Sequence, residues 1–412
     1  MNALPMMAAL YGLAFFNIFL RSTMGILAPE LSKELELSPG MLGIVASSFF
    51  VSYALMQIPT GILLDRFGPR RTVTGLFLLA VVGTALFAVA ESGAVMLIAR
   101  TLMGIGCAAV FAASFIVIGR FYSARQFTSV AGALNSFAML GTLAATLPLA
   151  TLVVAYGWRA SFTGVLLLMG GITLLALFNI KDFPKDASRP TPVRHKESVQ
   201  ELMTGLWRVM RTPGVIPIAC AGVALSAGNT ILGIWGGPYL NDVHGLTEIG
   251  RGKTLSAMAV AGVAGHFVCG YLARWLDTLK GIVIGGGLAI VIITALLSAL
   301  PSPSLVTVTG LFAGLGFACS FPSILLAQAR LLVPDHQAGR GLTVVNTGIM
   351  VAIALMQLAV GGVMSLTSVP SDNGLLVATA DSYRAAFGFI SFMAVASLAL
   401  YSRAADITTT QR

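Results

Sequence analysis

The sequence predicts an all-α membrane protein: twelve transmembrane helices in two six-helix pseudo-symmetric bundles. Three observations predict it. The first is composition. Of 412 residues, 57% are hydrophobic and only 10% charged, and the mean hydropathy is +0.89; soluble globular chains carry about a quarter charged residues. The second is the recurrence of apolar runs of roughly 20 residues, the length that crosses ~30 Å of hydrocarbon. They fall at 6–29, 40–64, 72–90, 94–119, 128–153 and 160–180, then at 214–237, 253–275, 280–300, 304–330, 340–366 and 383–402. The third is an internal repeat: shifted by about 210 residues, the chain matches itself weakly but in order. GIGCAAVFAAS from Gly104 lies over GLGFACSFPSI from Gly314, Gln126 and Asn135 lie over Gln337 and Asn346, and WRASF from Trp158 resembles YRAAF from Tyr383.

The first run is too long for a signal-peptide core, lacks a basic segment before it and is followed at once by further spans, so it is expected to stay in the membrane. It carries Arg21 inside FFNIFLRSTMGI, about two-thirds of the way along. If both termini are cytoplasmic, most basic residues fall in the inner loops and C-terminal tail, leaving Lys33, Arg159, Arg251, Lys253 and Arg384 outside. The formal charge of +9 is then topological, and nucleic-acid binding is excluded as its reason. The four cysteines, Cys107, Cys220, Cys269 and Cys319, fall singly within spans and read as packing residues. A multi-pass protein of a bacterial inner membrane is the simplest localisation, as a monomer.

Between the second and third spans stands GILLDRFGPRR, Gly61 to Arg71. A small residue, an aspartate at a helix end and a crowd of basic residues share one turn. This stretch resembles the major facilitator superfamily, whose corresponding loop reads G-x-L-x-D-R-x-G-R-K. Gly61, Leu63, Asp65, Arg66, Gly68 and Arg70 match it, and Pro69 departs from it. The resemblance implies the major facilitator fold, alternating access, and a gating role for Gly61, Asp65, Arg66, Gly68 and Arg70 on the cytoplasmic side, with Asp65 set against a helix N-terminus or a base such as Arg120. The fourth span begins LIARTLMGIGCAA and is similar to the family's R-x-x-x-G-x-G, matched by Arg100, Gly104 and Gly106. Arg100 is read either as snorkelling outward or as part of the gate. The fifth span, SFAMLGTLAATLPLA, lacks the glycine-proline motif of the family's drug antiporters.

A polar stretch divides the chain into 1–180, a cytoplasmic linker 181–213 and 214–412. The second part of the linker, SVQELMTGLWRVMRT, places Val199, Leu202, Met203, Leu206, Trp207 and Met210 on one helical face, the pattern of an interfacial helix.

All sixteen acidic residues lie in loops, tails or helix ends. A cation site would offer a carboxylate at midspan, and this chain offers none. Arg21 costs about 2.5–3.5 kcal/mol in a span centre, and its guanidinium is a planar fork suited to a carboxylate. Asn17 stands one turn before it. The repeat brings Asn229 and Thr230 near its counterpart, followed by Trp235, and pairs Gln57 with His266. Gln328 and Gln357 complete the polar set as residues of the cleft or as helix-to-helix links. These residues form the expected substrate site, with His266 also the candidate proton carrier of a symport.

The expected activity is secondary transport of a small organic anion, a carboxylate in the first instance. An exporter of a neutral or amphipathic compound and a non-transporting membrane sensor of the same fold stay open as alternatives. No G-x-x-x-x-G-K-S/T loop occurs, and no catalytic or metal constellation, so neither an enzyme nor a metal or other cofactor is expected. The partners are the substrate anion, a proton and the lipid bilayer.

Overall fold

The structure is a computed structural model that describes residues 4–183, 199–334, 337–370 and 376–404. Helices cover nearly all of it, because in hydrocarbon a backbone N–H or C=O must find its partner within its own segment. In chain order they are α1 (Leu4–Ser22), α2 (Met24–Glu34), α3 (Pro39–Leu55), α4 (Gln57–Ala88), α5 (Gly93–Cys107), α6 (Val110–Phe121), α7 (Ala124–Ala144) and α8 (Leu147–Asn179). After the linker helix α9 (Val199–Met210) come α10 (Val215–Thr230), a π-helical turn at Ile231–Trp235, α11 (Gly236–Asp242), α12 (Glu248–Trp275), α13 (Leu279–Ala299), α14 (Leu305–Ala318), α15 (Pro322–Leu332) and α16 (Ala338–Thr367). A two-residue hairpin, β1 (Val369–Pro370) with β2 (Leu376–Val377), then leads into α17 (Ala380–Tyr401).

Eleven of these helical stretches are long and apolar enough to cross a membrane, and Pro39–Leu55 is a shorter apolar helix beside them. The twelve predicted runs map onto them in order. Several spans are interrupted: span 1 is α1 with α2, span 4 is α5 with α6, span 7 is α10, the π turn and α11, and span 10 is α14 with α15. The breaks repeat across the halves. Thr23 interrupts span 1 where the π turn interrupts span 7, and the break after Cys107 answers the one after Cys319. Serine and threonine N-caps at Ser38, Ser92, Ser123, Thr247, Thr278, Ser304 and Thr379 mark where the chain starts a new helix from a loop. Leu78, Leu167, Leu168, Phe178, Phe267, Ile292 and Phe392 point outward, fully apolar and exposed, as side chains facing lipid do.

One sequence expectation changes here, and the structure adds detail to the linker helix. The eighth span begins at Glu248 rather than 253, so Arg251 belongs to the first turn of α12 and not to a loop. On α9 the buried side chains are Leu206 and Val209, whereas Trp207 is exposed beneath the Arg211 guanidinium. Helix α9 packs on α16, with Gly205 against Arg340. The prolines of 184–198 and the side chains of Val199, Leu202 and Met203 lie outside the described residues.

The halves meet at the end away from the GILLDRFGPRR loop. There α3 lies along α16, α2 against the π turn and α11, and α8 against α12. A Cβ on Gly43 would stand 2.9 Å from the Gly361 Cα, and one on Gly252 3.0 Å from the Leu147 Cα. Thr146 Oγ1 and Ser256 Oγ are 2.8 Å apart. At the other end, the corresponding faces of spans 2, 5 and 8 are open: a Cβ at Gly61, Gly132 or Gly270 would meet nothing within 4 Å. The chain is therefore shut at one end of the bundle and splayed at the basic end.

Candidate functional site

Arg21 sits in the last turn of α1, two residues before the break at Thr23. Its guanidinium carbon lies 4.5 Å from the ring centroid of Tyr53 on α3, an arrangement worth about 0.5–2 kcal/mol. The site is half-buried, and Arg21 Nε has no protein partner. On span 7, packed against this turn, the Cβ position of Gly233 in the π turn is 3.7 Å from the Arg21 backbone carbonyl and 3.7 Å from Nε2 of Gln357 on α16. Gln357 is 1% exposed and its Oε1 is unbonded. Among the described residues no carboxylate pairs with Arg21. An anion is the partner that a desolvated guanidinium calls for.

Two buried side chains brace this end of span 1. Asn17 donates from Nδ2 to the Cys107 carbonyl at 2.7 Å, at the break of span 4. Arg100, 1% exposed, donates from Nη1 to the Leu20 carbonyl at 2.7 Å and lies over Phe49. Each helix thus caps the other's C-terminal carbonyls. Arg100 does not snorkel; it points into the bundle because those carbonyls offer it acceptors there. Asn17 is likewise spent largely on the helix, with Oδ1 alone left over.

The remaining predicted residues separate into two groups. Asn229 and His266 line one pocket, which also includes Thr142, Leu232 and Cys319 and lies between spans 5, 7, 8 and 10. Asn229 is exposed, and His266 Nδ1 is 2.8 Å from the Gly262 carbonyl. Asn229 precedes Gly233 by one helical turn, so the pocket adjoins Arg21 along span 7. Gln57 is half-buried at the start of α4, and its Nε2 donates back across the break to the Tyr53 carbonyl of α3. Thr230 and Trp235 are buried at 0% and 2% exposure rather than on an open wall, with Oγ1 and Nε1 unbonded. Gln328 is not part of the cleft: it is fully buried and accepts from Tyr401 Oη at 2.9 Å, tying span 10 to span 12.

At the basic end, the chain turns at Gly68 with φ 79° and ψ 165°. The carboxylate that meets this turn is Asp182. Asp182 Oδ1 accepts from the Arg70 backbone N–H at 2.9 Å, and Arg120 donates to the Asp182 carbonyl at 2.8 Å. Arg70 Nε reaches the Leu177 carbonyl. Asp65 and Arg66 are exposed, Arg66 beside the Phe67 ring, and the face of Gly61 is open.

Sequence reasoning missed Tyr53, Asp182 and the pair formed by Glu30 with Arg251. Glu30 belongs to span 1 and Arg251 to span 8, and Arg251 is 1% exposed. Their signal was present as an acid and a base each at the outer end of a span, but nothing along the chain said that they face each other.

Two pseudo-symmetric helical bundles around a cleft with a polar middle, shut at one end, define a multi-pass membrane transporter rather than an enzyme. The profile of the Major Facilitator Superfamily matches residues 10–357, and the chain belongs to that family. Its relatives include a Cupriavidus necator protein named "Probable sulfoacetate transporter", 29% identical over 66% of this chain; the match spans 64% of that relative's length. The hexuronate transporter of Bacillus subtilis is 26% identical over 72% of this chain and 71% of its own. A solved bacterial homologue of the human lysosomal transporter Spinster superposes with a TM-score of 0.77 at 16% identity, covering 96% of this chain and 95% of that one. A D-xylose-proton symporter gives 0.75, also at 16% identity, with 98% of each chain covered.

Proposed function

We propose that the chain moves a small organic anion, a carboxylate, across the membrane by alternating access. The observation that carries this reading is Arg21: a permanent cation at midspan, stacked on Tyr53, with an unbonded Nε and no acidic partner among the described residues. The guanidinium binds the carboxylate, Gln357 and Asn229 supply polar contacts, and Asn17 with Arg100 holds the helix that presents Arg21. The relatives' names support it, since sulfoacetate and hexuronate are organic anions.

Access alternates by rocking residues 1–180 against 214–412, joined by the linker 181–213. Gly61, Asp65, Arg66, Gly68 and Arg70 act when the basic end closes, and the open face of Gly61 is where a helix then seats. His266 is the carrier of a co-transported proton. The membrane is a bacterial inner membrane, with both termini cytoplasmic.

The test is uptake of radiolabelled organic acids into vesicles by the unaltered chain and by Arg21→Gln and Arg21→Lys. Loss in the Gln variant with part retained in Lys supports the reading. Undiminished uptake in Arg21→Gln overturns it, and ligand binding without flux in the unaltered chain points to a sensor.

A further inference from the structure

The pocket next to Arg21 fixes the polarity of whatever enters it. His266 Nδ1 lies 2.8 Å from the Gly262 carbonyl, and that same carbonyl accepts from Ser320 Oγ, also at 2.8 Å. A carbonyl oxygen only accepts, so Nδ1 carries the ring proton. In the neutral imidazole, Nε2 is then a bare lone pair, and it has no protein partner among the described residues. Gly228, Gly262 and Gly316 also line it; they contribute no side chain and let spans 7, 8 and 10 pack closely around it. None of the residues lining it is acidic or permanently basic, and Cys319 is its one other titratable group.

We propose that this pocket reads a hydroxyl group of the substrate, and that the substrate class is the hydroxylated monocarboxylate rather than the dicarboxylate. The inference rests on Arg21 being the carboxylate site. A hydroxyl at the far end of the substrate donates to His266 Nε2 and accepts from the Asn229 amide, so both sides of the hydroxyl find a partner. While His266 is neutral, a second carboxylate there faces a lone pair with no cation to offset it, and burying such a charge unpaired is costly. At this site Arg21 offers one guanidinium for one carboxylate, since the Arg100 guanidinium is engaged by the Leu20 carbonyl and the Phe49 ring.

The experiment is competition against the best-transported acid in vesicles at pH 7.5, using pairs that differ by a second carboxylate: glycerate with tartrate, and D-gluconate with D-glucarate. In the unaltered chain the monocarboxylate of the better-binding pair competes about tenfold more strongly or better. His266→Lys, which puts a cation in place of the lone pair, shifts the ratio toward the dicarboxylate by about tenfold. His266→Gln, which offers a donor as well as an acceptor without added charge, narrows the ratio and serves if the Lys variant does not assemble. Equal or stronger competition by the dicarboxylates overturns the proposal. So does a ratio unmoved by both variants, or a preference for acids bearing no hydroxyl. Failure of the underlying reading looks different: no acid competes, and Arg21→Gln leaves transport intact.

Discussion

Glu30 of span 1 and Arg251 of span 8 form an ion pair across the two halves at the closed end of the bundle. The pair is lopsided in its support. Arg251 is 1% exposed and is also 3.7 Å from Glu248 and 3.3 Å from Asn241 Oδ1, whereas Glu30 keeps an unbonded Oε2. Removing Glu30 therefore leaves Arg251 some partners, and removing Arg251 leaves Glu30 none of those.

The first prediction is an asymmetry. Arg251→Gln weakens closure of this end by about 2 kcal/mol or more, below the ~3–5 kcal/mol of a fully buried pair because Glu30 is partly exposed. Glu30→Gln weakens it by less. The check is the rate at which a membrane-impermeant maleimide labels Ser256→Cys, at the seam between α8 and α12. Labelling rises in both variants and more in Arg251→Gln. Equal rates in the unaltered chain and both variants mean that the pair does not hold the end shut.

Higher up the same seam, span 1 and span 7 touch backbone to backbone. A Cβ on Gly237 would stand 1.7 Å from the Gly25 carbonyl oxygen, and one on Gly25 2.0 Å from that of Leu232. Neither obstacle is a flexible side chain. Gly237→Ala is thus expected to block closure while leaving each bundle folded: uptake falls about tenfold or more, and Ser256→Cys labels faster. Normal uptake would show that the two backbones separate at no cost.

These contacts show where a sequence stops informing. The twelve spans, their order and the duplication were legible because hydrocarbon imposes a length and an apolar composition on each helix. Arg21, Asn229 and His266 were legible because a polar group in such a run is conspicuous. Their partners were not. Tyr53 reads as an ordinary aromatic of a span, and its place on Arg21 depends on how α1 and α3 are rotated. Gln328 and Gln357 look alike in sequence, yet one is tied to Tyr401 and the other borders Gly233. Arg100 looked able to reach water because its acceptor, the Leu20 carbonyl, is 80 residues away.

Gly68 and Asp182 form one unit at the basic end. Gly68 holds φ 79°, which costs an alanine about 1 kcal/mol, and an added Cβ would also stand 2.9 Å from the Asp182 carboxylate. Asp182→Ala loses the acceptor of the Arg70 N–H. Each single variant is expected to lose about 1–2 kcal/mol in thermal unfolding in detergent. The double variant loses less than the sum, since Asp182→Ala removes the clash that Gly68→Ala creates. Strict additivity would separate the two residues.

Glu34, at the outer tip of α2, gives a prediction in pH. Trp158 Nε1 donates to its Oε2 at 2.5 Å, and Arg159 binds Oε1 while lying over the Trp158 ring and donating to the Ala90 carbonyl. The Trp158 bond and then the Arg159 contact hold the Glu34 carboxyl below its ordinary value of 4.5. A depressed folded-state value means that the unfolded chain binds the proton more readily. The stabilisation is therefore complete above pH 4.5 and fades as pH falls through the lower folded-state value. Glu34→Gln should unfold about 1 °C below the unaltered protein at pH 7, a small gap because the pair is largely solvent-exposed. Once the pH lies below that lowered value the two curves should converge, as both side chains become neutral. A gap that persists undiminished at pH 3 would assign the effect to packing of the amide and not to the carboxylate.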